Sequence, residues 1–163
     1  MQAPELYELT SRAIAISGLP RWPAPETTGQ FEGLRFVPAD RDEPASWVMM
    51  SFGAEELPAT GDNAGPESLF ALEASAIDWD EAVQVDAVLA AQIIREHLRS
   101  HLGAMGWQVQ MKMSRGKAAW RLADCVAITE GGGNRLDDHY PSGDDELAVL
   151  CDSVTVLARH GMG

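Results

Sequence analysis

The chain is short of cysteine, short of positive charge and without a long apolar run, and each shortage closes off a class of protein. Two cysteines, Cys125 and Cys151, among 163 residues do not make a disulfide framework. They read as small buried apolar residues of a reducing compartment. The longest strongly apolar stretch, residues 83–94, is interrupted by Gln84, Asp86 and Gln92 and falls well short of the roughly 20 residues a membrane span requires. Residues 1–5 contain no basic start leading into an apolar stretch, so no secretory signal is expected and a cytoplasmic location follows. Twelve lysines and arginines against twenty-five acidic residues leave a formal charge of −13. That charge opposes non-specific binding to nucleic acid or to an anionic membrane, since both need cations to replace released counterions.

Motifs with a chemical meaning are missing as well. Gly131, Gly132 and Gly133 are not followed by the Gly-Lys-Ser/Thr of a phosphate loop, and the nearby carboxylates would repel phosphate, so they read as a loop tip. Carboxylate pairs are common, but adjacent carboxylates on polar loops are both solvated and both ionised, whereas acid–base work needs two different environments. No catalytic residue, cofactor or metal site is assigned on this basis.

What the chain does have is a core. Hydrophobic residues make up 45% and include five tryptophans, too many for a disordered acidic tail, and the length suits a single globular domain over 1–163. Its second property is sorted charge. The net charge is −1 over residues 1–30, −10 over 31–82, +4 over 83–123 and −6 over 124–163.

Periodicity predicts an α+β fold, with a mostly antiparallel sheet of about four or five strands flanked by helices in an αβα-like sandwich. Residues 4–17 repeat Leu6, Leu9, Ala13 and Ile16 at helical spacing behind Pro4. Residues 31–37 and 46–52 read as strands joined by a charged turn; Trp47 and Met49 alternate with Val48 and Met50, so both faces of the second should be covered. Residues 53–67 read as a loop, and 68–76 are ambiguous between strand and helix. Asp80 and Glu81 open a predicted helix to about Leu102. Residues 107–113 alternate, placing Trp107, Val109, Met111 and Met113 on a core face and Gln108, Gln110 and Lys112 on a wet one. Residues 118–128 are expected to return as the partner strand, although their alanines leave a helical reading open, and Ser142 is expected to cap a last helix over 144–157.

Three residue groups are candidates for function. The acidic group is Asp40, Asp42, Glu43, Glu55 and Glu56, expected to face a partner protein with a basic surface. The basic group is Arg95, Arg99, Lys112, Arg115, Lys117 and Arg121, of which Lys112, Arg115 and Lys117 surround a hairpin turn. With Trp107 assigned to the core, few aromatics remain there for stacking bases, and nucleic acid is disfavoured. The basic group is read instead as a counterpart for acidic segments of the same chain or of a second copy. The third group is His97 and His101, four apart on one helix face, which with His139 would offer a transition-metal or enzymatic site. The alternative for the two helical histidines is a solvated positive end beside Arg95 and Arg99.

The order of these parts resembles the small phage and prophage proteins described as ABA sandwiches. The matching stretches are 5–16, the helix and hairpin over 85–128 with Trp120 in the returning strand, and the helix over 144–157; the acidic region 31–82 is an insertion in that order. That family offers no catalytic motif to carry over. The resemblance implies an accessory protein of a phage or mobile element. Together with the charge, it points to a non-enzymatic intracellular binding protein or inhibitor that covers a basic site on a partner. A small enzyme or metal-binding protein using the three histidines, and a self-associating structural protein, are the alternatives.

Overall fold

The computed structural model describes residues 1–18, 30–53, 77–125 and 140–161, without the side chains of 30–32, 51–53 and 114. These residues make an α+β fold of three helices and two antiparallel three-strand sheets, so the expected strands are divided between two sheets. The chain separates into two compact units, Met1–Ile94 and Arg95–Gly163.

The first unit begins with α1, Ala3–Ser17. Its start is fixed by Pro4 in the first turn and by the Gln2 N–H, which donates to Glu5 Oε2 at 3.0 Å. Leu6, Thr10, Ala13 and Ile14 form its buried stripe, and the Thr10 hydroxyl is satisfied by donating to the Leu6 carbonyl at 2.7 Å.

Strands β1 (Gln30–Val37), β2 (Ser46–Gly53) and β3 (Val83–Val85) lie in that order. One face is packed by α1: Tyr7 stacks on Phe36 with centroids 4.3 Å apart, Phe36 tilts against Trp47, and Trp47 Nε1–H donates to the Ala3 carbonyl at 3.1 Å. The opposite face buries Val37, Val48 and Met50 with Ile77. Both faces of β2 are therefore covered, as its unbroken apolar run predicts. Arg35 shares this second face and is itself buried, its Nη1 donating to the Leu34 carbonyl at 2.8 Å. A Cβ on Gly33 would sit 2.3 Å from that nitrogen, so any larger residue there would oblige the guanidinium to move.

The predicted helix from Asp80 is corrected. Residues 78–81 form a turn in which Asp78 Oδ1 accepts the Asp80 N–H at 3.1 Å and the Asp78 carbonyl accepts those of Glu81 and Ala82. This local bonding competes with helix formation. Val83 and Val85 then pair with Met49 and Trp47 as β3, where β-branched side chains sit well. Helix α2, Ala87–Ala104, starts after Asp86, whose Oδ1 accepts the Leu89 N–H at 2.7 Å as an N-cap. The boundary between the units falls within α2, along which Ala90, Ile93, Ile94, Leu98 and Leu102 are buried.

The second unit continues with β4 (Trp107–Ser114) and β5 (Lys117–Asp124), a hairpin closed by the two-residue turn Arg115–Gly116. Both turn residues have positive φ, 51° and 76°. That is the backbone whose twist matches the flanking strands, and Gly116 adopts it without a Cβ penalty. A short β6, Ser142–Gly143, pairs with Trp120 and Arg121 of β5. Helix α3, Glu146–Arg159, packs against all three strands, burying Leu147, Leu150, Cys151, Val154 and Leu157. Its cap is Asp145, which accepts the Ala148 N–H at 3.3 Å. The expected cap Ser142 is drawn into β6 instead.

Candidate protein-binding surface

The connection between β1 and β2 holds Asp40, Asp42 and Glu43. Asp40 Oδ1 accepts the N–H groups of Asp42 and Glu43 at 2.9 and 2.8 Å, and the Asp40 N–H donates to the Glu43 carbonyl at 3.0 Å. These backbone donors hold the Asp40 carboxyl below the usual aspartate range. Asp40 therefore staples its own turn, and Asp42 and Glu43 project from it, both exposed. Glu55 and Glu56, the other two expected acidic contacts, lie outside the described residues.

Beside this turn is a hollow of about 440 Å³ lined by Val37, Pro38, Asp40, Glu43, Pro44 and, across it, Trp79. Trp79 is 52% exposed and stands between Asp78 and Asp80–Glu81, so its indole is framed by carboxylates on its own turn as well as on the facing one. A second hollow of about 590 Å³ shares Ser46 and Gln84 with the first and runs past Val85 to Val88 and Met1. Val88 is 70% exposed. The two adjoin at Ser46 and Gln84 as a trough in the first unit, its walls part polar and part apolar, with acidic turns beside it.

Trp79, Pro38, Pro44 and Val88 were not singled out from the sequence. The signal was present in Trp79, a tryptophan inside an otherwise acidic tetrapeptide, because three neighbouring carboxylates must stay hydrated and keep the indole near the surface.

The six basic residues differ in how far their charges are already engaged. Arg99 is engaged: its guanidinium is bound to Glu146, with Nε donating to Oε1 at 2.7 Å, and to Glu96. Burial alone would lower its pKa, but the Glu146 and Glu96 carboxylates outweigh burial and raise it. Arg121 lies over the Tyr140 ring, 5.6 Å from its centroid. Arg95 is half-buried on α2, while Lys112, Arg115 and Lys117 are all exposed around the hairpin turn.

The same hairpin corrects the expected core face. Trp107 and Leu122 are buried at its base, yet Met111 and Met113 are 57% and 65% exposed. Register places Met111 opposite Trp120 and Met113 opposite Ala118, so one face of the tip is apolar and uncharged. Lys112, Lys117 and Arg121 occupy the other face. The alternation is real, but the covering α3 does not extend over the tip.

A further hollow of about 350 Å³ in this unit is lined by Trp107, Trp120, Cys125, Arg99 and Glu146. Cys125 is half-buried with its thiol 3.7 Å from Gln108 Oε1. Cys151 is buried as expected, and burial, followed by the charges of Asp152 and Asp145, pushes its thiol up to about 12. His97 and His101 are half-buried on α2, and burial lowers the His101 pKa. His139 lies outside the described residues, as do the three consecutive glycines. Among the described residues, no three His, Cys, Asp or Glu side chains are placed to hold a metal ion, and no helix is long and apolar enough to cross a membrane. Compared with known proteins, the chain matches no family model, no curated protein and no solved structure.

Proposed function

We propose that the protein is a non-enzymatic binding protein whose first unit takes up a basic, partly apolar segment of a partner protein. The observation that carries this reading is the half-exposed Trp79, which lines one hollow together with Pro38, Pro44, Asp40 and Glu43, so that an exposed indole and carboxylates meet at the same place. Tryptophan is among the side chains enriched at binding hot spots, and the prevailing charge around it influences encounter rate and partner choice. The turn that presents Asp42 and Glu43 is fixed by Asp40, so little order has to be gained on binding. An accessory protein or inhibitor of a phage or mobile element, covering a basic site on its target, fits this surface and the resemblance in element order.

Calorimetric titration with a short peptide of alternating lysine and leucine tests it. The peptide should bind at low salt and progressively less well as salt rises. Trp79→Ala should weaken it by about 2 kcal/mol, roughly thirtyfold. Asp42→Asn with Glu43→Gln should lower affinity and flatten the salt dependence. Equal binding by wild type and both variants would exclude the trough as the site.

A further inference from the structure

A basic and apolar segment of the required kind is present on the chain itself. At the tip of the β4–β5 hairpin, Met111, Met113 and half-buried Trp120 share one face, Lys112 and Lys117 occupy the other, and Arg115 stands at the turn. We propose that the partner segment is this hairpin on a second copy of the chain, its tip seated in the Trp79 trough of the first. The inference rests on the trough being a site for basic segments.

Charge selects this pairing from the others open to two copies. Residues 31–82 carry −10 and 124–163 carry −6, whereas 83–123 carry +4. At a net charge of −13, two copies repel overall at low salt, and setting the positive stretch of one against the most negative stretch of the other offsets that repulsion. The exposed side chains match: Lys112, Arg115 and Lys117 against Asp42, Glu43, Asp80 and Glu81. The apolar parts match as well, because methionine is flexible enough to fit an irregular hollow and its thioether makes favourable contacts with an aromatic ring such as Trp79. Each of the two surfaces is complete within one unit. Because they differ, each contact joins a tip to a trough, and every copy offers one of each.

Contact between two different surfaces allows a sharp test by mixing full-length variants. Lys112→Gln with Lys117→Gln removes charge from the tip while keeping the Arg115–Gly116 turn, and Asp42→Asn with Glu43→Gln removes charge from the trough while keeping the Asp40 staple. In sedimentation velocity, the wild type should associate with rising concentration. Each variant alone should associate about tenfold or more weakly. An equimolar mixture should regain association but stop at dimers, since each pair then has one intact tip in one intact trough. Met111→Ser with Met113→Ser, which leaves every charge in place, should weaken association as well.

A wild type that stays monomeric overturns the inference, as does a mixture no more associated than its parts. Association unaffected by the trough variant also overturns it, and would assign the contact to hairpin edges meeting each other. The lysine–leucine peptide separates the two levels. Peptide bound without self-association overturns the second copy as partner and leaves the trough reading standing, whereas neither binding event overturns both.

Discussion

Two strand connections carry opposite charge and are built in opposite ways. Between β1 and β2 the turn is held by a side chain: Asp40 uses its carboxylate to bind the N–H groups of Asp42 and Glu43. Between β4 and β5 the turn is held by the backbone, with Arg115 and Gly116 both at positive φ. The first connection commits one of its charges to its own structure. The second leaves Lys112, Arg115 and Lys117 all outward. Formal charge therefore overstates what the first connection can offer a partner but not what the second can, and the difference lies in how each turn is closed.

Substitutions that attack each support separately would break this contrast. The largest effect is expected at the base of the hairpin, where Leu122→Ala should cost about 2–5 kcal/mol in chemical denaturation because Leu122 is fully buried beside α3. Next, Gly116→Val, forced to a φ of 76°, should cost about 1–2 kcal/mol. It should leave the amide exchange of Asp42 and Glu43 unchanged, since their turn is held independently.

The Asp40 turn should respond to acid where the hairpin turn does not. Its folded pKa lies below the ordinary 3.8, so its stabilisation is complete above that value and is lost as pH falls through the lower, folded one. Amide exchange at Asp42 and Glu43, corrected for the intrinsic pH dependence, should lose protection in that range, and Asp40→Ala should remove the protection at every pH. The smallest effect is expected from Met111→Ser with Met113→Ser, within about 0.5 kcal/mol, because both side chains are already in water. A loss comparable to that of Leu122→Ala would mean that the tip belongs to the core after all.

Much of the fold was legible where periodicity and punctuation agree. Pro4 and Gly18 bound α1, the double-faced apolar run of 46–52 forecast a strand covered on both sides, and Arg115–Gly116 marked the hairpin. The errors have a common cause, competition between local hydrogen bonding and pattern. Asp78 and Asp86 divide what looked like one long helix into turn, strand and helix, and pairing with β5 withdraws Ser142 from its capping role. The methionines show a different limit. Alternation assigns Met111 and Met113 to a face but carries no information on whether another element covers it.

The candidate surface was half legible. Asp40, Asp42 and Glu43 were named from charge alone, but a linear reading could not bring Trp79 opposite them. That juxtaposition depends on β3 joining β2 and carrying the 78–81 turn beside the β1–β2 connection. Nor could it tell which cations are engaged. Arg99 finds Glu146 forty-seven residues away, and Arg121 finds Tyr140.

The most direct measurement is amide chemical-shift mapping of the isotope-labelled full chain as the lysine–leucine peptide is added at low salt. Shifts are expected to concentrate at residues 38–46 and 78–88, saturating together and accompanied by the Trp79 indole N–H. Shifts spread evenly over the surface, or confined to residues beyond Arg95, would contradict the trough as the binding site.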